Sequence, residues 1–174
     1  MPDERTSPGL TTPPAADPPP APPEPGRDDD GTSPAPPERG RDDTAVCVSI
    51  ETEGDIVTAR QKGRELAATV GFTATDQTIL ALAISEIARN IISYAKRGTV
   101  TLGRLDDGGR CGVSVVAEDQ GPGIPDVDLA MRDGYSTAKS LGMGLPGAKR
   151  VMDEFDLTTV LGEGTTVKMK KWLR

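Results

Sequence analysis

The stretch EDQGPGIPDVDLAMRDGYSTAKSLGMGLPG, residues 118–147, gathers Gly121, Gly123, Gly134, Gly142, Gly144 and Gly147 into one short segment. Glycine loses more backbone freedom on folding than any other residue, so such a cluster points to backbone that must approach something closely. The two halves of the stretch differ. The first follows RCGVSVVAED (110–119), whose apolar alternation reads as a strand. Asp119 therefore closes a strand and enters a loop. A carboxylate there can accept a hydrogen bond from an exocyclic amino group such as that of adenine, and Gly121 and Gly123 leave room for a flat ring against the backbone. The second half, GMGLPG (142–147), opens a helix expected from about Leu145 to Glu154. The free N–H groups and positive dipole end of a helix start suit phosphate oxygens. One half thus suits a base and the other a phosphate chain.

Other glycine-rich phosphate loops fit less well. Gly142 and Gly147 have the spacing of a P-loop, but Ala148 stands where that loop needs lysine. GMGLPG matches G-x-G-x-x-G, yet RDGYSTAKSL before it is a poor strand, and 27 residues after Gly147 are too few to complete a doubly wound sheet.

Outward from this stretch, TAVCVSIET (44–52) alternates as a strand with Val46, Val48 and Ile50 on one face. A helix follows from about Asp55 to Thr69, with Ile56, Arg60, Gly63, Ala67 and Val70 near one stripe and Gly71 as its C-cap. A second helix runs from about Thr75 to Lys96, its apolar face made of Leu80, Ile84, Ile87, Ala88, Ile91 and Ala95. TVTLGRL (99–105) and RCGVSVVAED are strands joined by DDGG, a hairpin signal. A short helix near 127–132 is expected in the loop, and FDLTTVL and TTVKMKKWL form a last hairpin around GEG (162–164). Hairpins dominate this order, so the fold class is α/β: a two-layer sandwich with a mixed, mainly antiparallel sheet covered on one face by helices.

The second helix also carries a polar pair. Glu86 and Asn90 are four residues apart and share a face that borders the apolar stripe, which places both at the rim of a pocket. Asn90 could bind Mg²⁺ through its amide oxygen, and Glu86 could act as general base on an attacking hydroxyl. In isolation such a pair is usually just a solvated helix face, and it gains force only through the glycine motifs downstream.

Composition bounds the rest. Residues 1–44 hold 13 of the 16 prolines, and Met1 and Leu10 are their only large apolar residues. Such a segment cannot offset its ordering entropy and reads as disordered. Within it PPEPGRDD (22–29) returns as PPERGRDD (36–43); a solvated extension and a docking tail both fit. The tail's ten acidic and four basic side chains account for most of the net charge of −7, which leaves residues 45–174 near neutral. No basic excess marks a nucleic-acid binder. The expectation is no nucleic acid and no membrane partner, and a cytoplasmic location: the start lacks a signal-peptide pattern, and no uncharged apolar run is long enough to span a bilayer. Cys47 and Cys111 read as small buried thiols in strands. The sequence has no histidine, which excludes histidine triads, histidine zinc sites and phosphorylation on a histidine of this chain.

Taken together, SEIARN, EDQGPGIPD, GLPGAKRVMDEF and GEGTTV resemble, in order and spacing, the N, G1, G2 and G3 boxes of the GHKL ATPases. The resemblance covers about residues 44–174, and is closest to the small switch kinases of bacterial stress-response partner switching, including the terminal KWLR. It implies the Bergerat ATP-binding fold, ATP and Mg²⁺. It also implies roles: Asn90 on the metal, Glu86 as base, Asp119 on adenine beside Gly121 and Gly123, Gly142, Gly144 and Gly147 at the phosphates, and Thr165 near the adenine. Residues 124–141 would be an ATP lid, in which Lys139 either reaches a phosphate or is simply solvated. By the same resemblance the partners would be a STAS-domain antagonist, phosphorylated on serine or threonine, and a serine phosphatase that the released kinase activates. The alternative is an anti-sigma factor that binds a sigma subunit directly.

Overall fold

The computed structural model describes residues 45–132 and 144–174; the expected tail (1–44), Lys139, Gly142 and the second half of the expected lid (133–141) lie outside them. β1 (Val46–Ile50) leads into α1 (Glu53–Val70) and α2 (Ala74–Asn90), which continues as a π-helical turn, Ile91–Ala95. β2 (Gly98–Asp107) and β3 (Arg110–Asp119) form the first hairpin, α3 is the short helix Val127–Ala130, and α4 (Gly144–Val151) precedes the hairpin of β4 (Glu154–Val160) and β5 (Gly164–Trp172). The strands order β1-β2-β3-β5-β4. The sheet, expected to be mixed and mainly antiparallel, is antiparallel in all its pairings: β2–β3 and β4–β5 are hairpins, two helices return the chain from β1 to β2, and β4 runs parallel to β3 with β5 inserted between them.

Local chemistry sets the helix ends. The Asp55 carboxylate accepts the Thr52 N–H at 2.7 Å and the Glu51 N–H at 3.1 Å, which caps α1. The Thr73 hydroxyl accepts the Asp76 N–H at 3.1 Å and starts α2. Gly71, at φ +105, ends α1 in the left-handed conformation, as its sequence position implied.

Register explains the two layers. Val100, Leu102, Val113, Val115, Ala117, Val167 and Met169 share the helix-facing side and are buried. They pack with Ile56, Leu80, Ile84, Ile87 and Ile91 into one core. The other side carries Ser49, Thr99, Thr101, Ser114, Glu118, Thr166 and Lys168, the polar face that an antiparallel sheet can turn to water. Cys47 lies on that side and is exposed, so the expectation of a buried thiol fails there; Cys111 is half-buried. On α1 the buried stripe runs through Ile56, Ala59, Gly63 and Ala67, and Arg60 is exposed. The helical stretch Ala74–Ala95 is apolar and long enough to cross a membrane, with mean hydropathy 1.2, but half of it is buried in the protein; packing against α1, α4 and the sheet accounts for its character.

Candidate active site

A cavity of 440 Å³ opens between α2, the end of β3, the loop after it and the start of α4. Asn90, Asp119, Gly123, Gly144 and Thr165 all line it, with Ile87, Ile91, Ala117 and Val167 as its apolar floor. Five residues read from separate parts of the sequence thus meet on one wall-to-wall hollow. A largely apolar pocket with a few converging polar groups is the usual form of a small-molecule site.

Asp119 and Thr165 are register partners across β3 and β5. The Asp119 Oδ1 accepts the Gly121 N–H at 2.8 Å, which fixes the carboxylate plane. Thr165 Oγ1 lies 3.1 Å from Thr159 Oγ1, and the Thr159 hydroxyl in turn accepts the Ile124 N–H at 2.9 Å. Thr159, which the sequence reading passed over, ties the loop to the last hairpin. Its signal was present only as one more threonine in an alternating strand.

The loop glycines work differently from the expectation. A side chain at Gly121 would meet Ala95 of the π-helical turn at 2.6 Å, and one at Gly123, φ +72, would meet the Val160 carbonyl. The room these glycines leave is taken by the protein itself, which lets the loop lie flat on its neighbours. Gly123 still lines the cavity, whereas Gly121 does not. Gly164 has the same duty from the other side: at φ +133 its missing side chain would run into the Asp119 carbonyl. Gly147 is buried within α4 and is not on the cavity wall.

Glu86 is not at the rim either. It is 3% exposed, behind the cavity wall. Its Oε2 accepts the Gly144 N–H at 3.0 Å, and its Oε1 accepts Arg89 Nη1 at 3.1 Å. Glu86 and Gly144 are 58 residues apart in sequence, so only the packing of α4 on α2 brings them together. The carboxylate sits at the positive end of α4, a favourable place for negative charge.

Among the described residues no group of three or more His, Cys, Asp or Glu side chains could hold a metal ion. On the α2 side of the cavity the oxygen donor is the Asn90 amide, with the Asp119 and Asp126 carboxylates on other parts of the wall. That set does not cage a bare cation. It does fit Mg²⁺, which keeps several waters and takes one or two protein ligands beside substrate phosphates.

Comparison with known proteins bears on the family and the fold. The family model described as "Histidine kinase-like ATPase domain" matches residues 49–171. The chain is 54% identical over 128 residues to the serine/threonine-protein kinase RsbT of Bacillus subtilis, covering 74% of this chain and 96% of that protein. It is 31% identical over 97 residues to an anti-sigma F factor of Thermoanaerobacter, covering 52% of this chain and 66% of that protein. Among solved structures, the RsbU and RsbW domains of a Mycobacterium tuberculosis protein share the fold, with a TM-score of 0.51 at 20% identity over 75% of this chain and a third (33%) of that one.

Proposed function

Since the chain belongs to the histidine kinase-like ATPase family and is a serine/threonine-protein kinase, we propose that it is the kinase of a cytoplasmic partner-switching system. In this reading it transfers the γ-phosphate of Mg-ATP to a serine or threonine of a STAS-domain antagonist and, once released, activates a serine phosphatase. The observation that carries the site reading is the single cavity on which Asp119 and Gly144 stand with Asn90 beside them.

The residues then divide the work. Asp119, fixed by the Gly121 N–H, accepts the adenine amino group. Thr165 shapes the same end. The Gly144 N–H, at the head of α4, donates to a phosphate oxygen. Bound Mg²⁺, held by the Asn90 amide oxygen, would offset charge on the phosphoryl group. When the Gly144 N–H turns from Glu86 to a phosphate, one oxygen of that carboxylate is freed. The acceptor hydroxyl oxygen bonds to the γ-phosphorus, its proton passes to Glu86, the bond to the β,γ-bridging oxygen breaks, and ADP leaves.

Incubation with γ-labelled ATP, Mg²⁺ and STAS-domain proteins, followed by mapping of the label, tests this. Label on a serine or threonine of the acceptor is the expected result; an acceptor that stays unlabelled while ATP is consumed contradicts the substrate assignment. The likeness to anti-sigma F factors supports a second reading, direct capture of a sigma subunit, and a pull-down that recovers a sigma factor instead of a STAS protein would favour it.

A further inference from the structure

Among the described residues Glu86 is the one buried carboxylate, and its two oxygens have separate partners. Gly144 holds Oε2 from the cavity side, and Arg89 holds Oε1 from one helical turn further along α2. The Arg89 side chain is 36% exposed and forms an ion pair with Glu86. It does not line the cavity, and its guanidinium is engaged with Glu86.

The terminal torsion of a glutamate is broad and roughly two-fold. A carboxylate held only by one backbone N–H can offer either oxygen to it and can tilt around that bond. Arg89 removes this freedom. A guanidinium donates along fixed N–H directions, so it pins Oε1 and leaves Oε2 aimed at the head of α4. We propose that Arg89 is a positioning residue that sets the orientation of the Glu86 carboxylate for proton acceptance. The inference deepens the reading above and rests on the role of Glu86 as base.

Arg89 also keeps a buried charge paired, and removal of one partner from such a pair destabilises the fold. Loss of activity alone would therefore not distinguish positioning from stability. The test is a cycle of R89A, R89K, E86A and the R89A/E86A double variant, each confirmed as folded by its melting temperature. Single-turnover ADP formation from Mg-ATP is read in the presence of a STAS-domain acceptor, with ATP affinity measured by calorimetry. A misplaced catalytic group can cost up to ~10²-fold; R89A is expected to slow the step by roughly 10- to 100-fold with ATP affinity unchanged. R89K, which keeps the charge but not the fork, recovers part of the rate. In the E86A background the Arg89 substitution adds nothing, as residues acting as one unit are not additive.

A full Arg89 cost on top of a slow E86A chain, or a loss that appears wholly as weaker ATP binding, would overturn the inference while leaving the proposed function intact. An E86A chain as fast as the unaltered one would remove the base, and this inference with it. Because the readout is ADP, whether phosphate goes to the acceptor or to water, a wrong acceptor class leaves the result standing.

Discussion

Helix α4 meets a buried charged side chain at each of its ends, and the two ends are built to different standards. At the start, Glu86 on α2 takes the Gly144 N–H at 3.0 Å. At the finish, Lys171 on β5, also buried, donates to the Val151 carbonyl at 3.1 Å. Each charge has the sign that the helix dipole favours at that end. The starting contact is one backbone bond beside a cavity. The finishing contact is part of a cluster: Asp153 accepts the Trp172 N–H at 2.7 Å and Arg174 at 3.0 Å, and lies 3.8 Å from Lys171. Next to it, Glu154 accepts the Trp172 indole N–H at 2.8 Å, with Arg110 stacked 4.5 Å from that ring's centroid. Among the described residues the helix is clamped to the sheet by this cluster at its finish and held through one backbone N–H to Glu86 at the start that faces the cavity. The polar cluster and the cavity thus lie at opposite ends of one short helix.

The comparison breaks if the starting end proves structural. Glu86→Ala should lower phosphoryl transfer by ~10²–10⁴-fold, the usual contribution of a positioned base, while most ATP binding survives. Equal losses of transfer and binding, measured by single-turnover kinetics and calorimetry, would show that Glu86 holds the pocket instead of the proton. Asp119→Asn presents a different donor and acceptor pattern to the adenine edge and should cost about 1–3 kcal/mol of ATP affinity; an unchanged calorimetric affinity would remove Asp119 from the base site.

The finishing end should respond in stability instead. Lys171→Met leaves the Val151 carbonyl without its side-chain donor and should cost about 1–2 kcal/mol in denaturant unfolding, at the scale of one buried hydrogen bond, with transfer per folded molecule preserved. If transfer falls as far as in Glu86→Ala, the two ends are not distinct.

The smallest effect is a pH dependence. Burial alone would raise the Asp153 carboxyl, but the Trp172 N–H, Arg174 and Lys171 together hold it below its ordinary value of 3.8. A carboxylate lowered on folding stabilises above its unfolded value, and that contribution is lost as pH falls through the folded one. The stability gap between the unaltered chain and Asp153→Asn should therefore be full above about pH 4 and close as the pH drops further below 3.8. A gap that stays constant across that window would mean the cluster does not anchor through this charge.

Legibility in the sequence follows the same division. Period-2 alternation and the DDGG turn made the strands readable, and the convergence of Asn90, Asp119, Gly144 and Thr165 on one cavity follows the boxes read in order. These are local signals. The bond between Glu86 and Gly144 is not local: an i, i+4 polar pair reads as a rim, and nothing near position 86 reveals that α4 will lie over it. Lys171 was equally hidden, because a lysine on the inner side of a strand looks like a break in the pattern until a helix end is seen above it. The glycines were readable as close approaches, but a single sequence does not say whether ligand or protein fills the gap, and at Gly121 it is Ala95. The π-helical turn after Asn90 carries no proline or glycine of its own, so the helix was read as continuous.

The most direct test of the central claim, that this cavity holds ATP between Asp119 and the head of α4, is a crystal structure of the chain with Mg²⁺ and a non-hydrolysable ATP analogue. The expected result has the adenine amino group on the Asp119 carboxylate and a phosphate oxygen on the Gly144 N–H. A purine bound elsewhere, with Asp119 turned from the cavity, would contradict it.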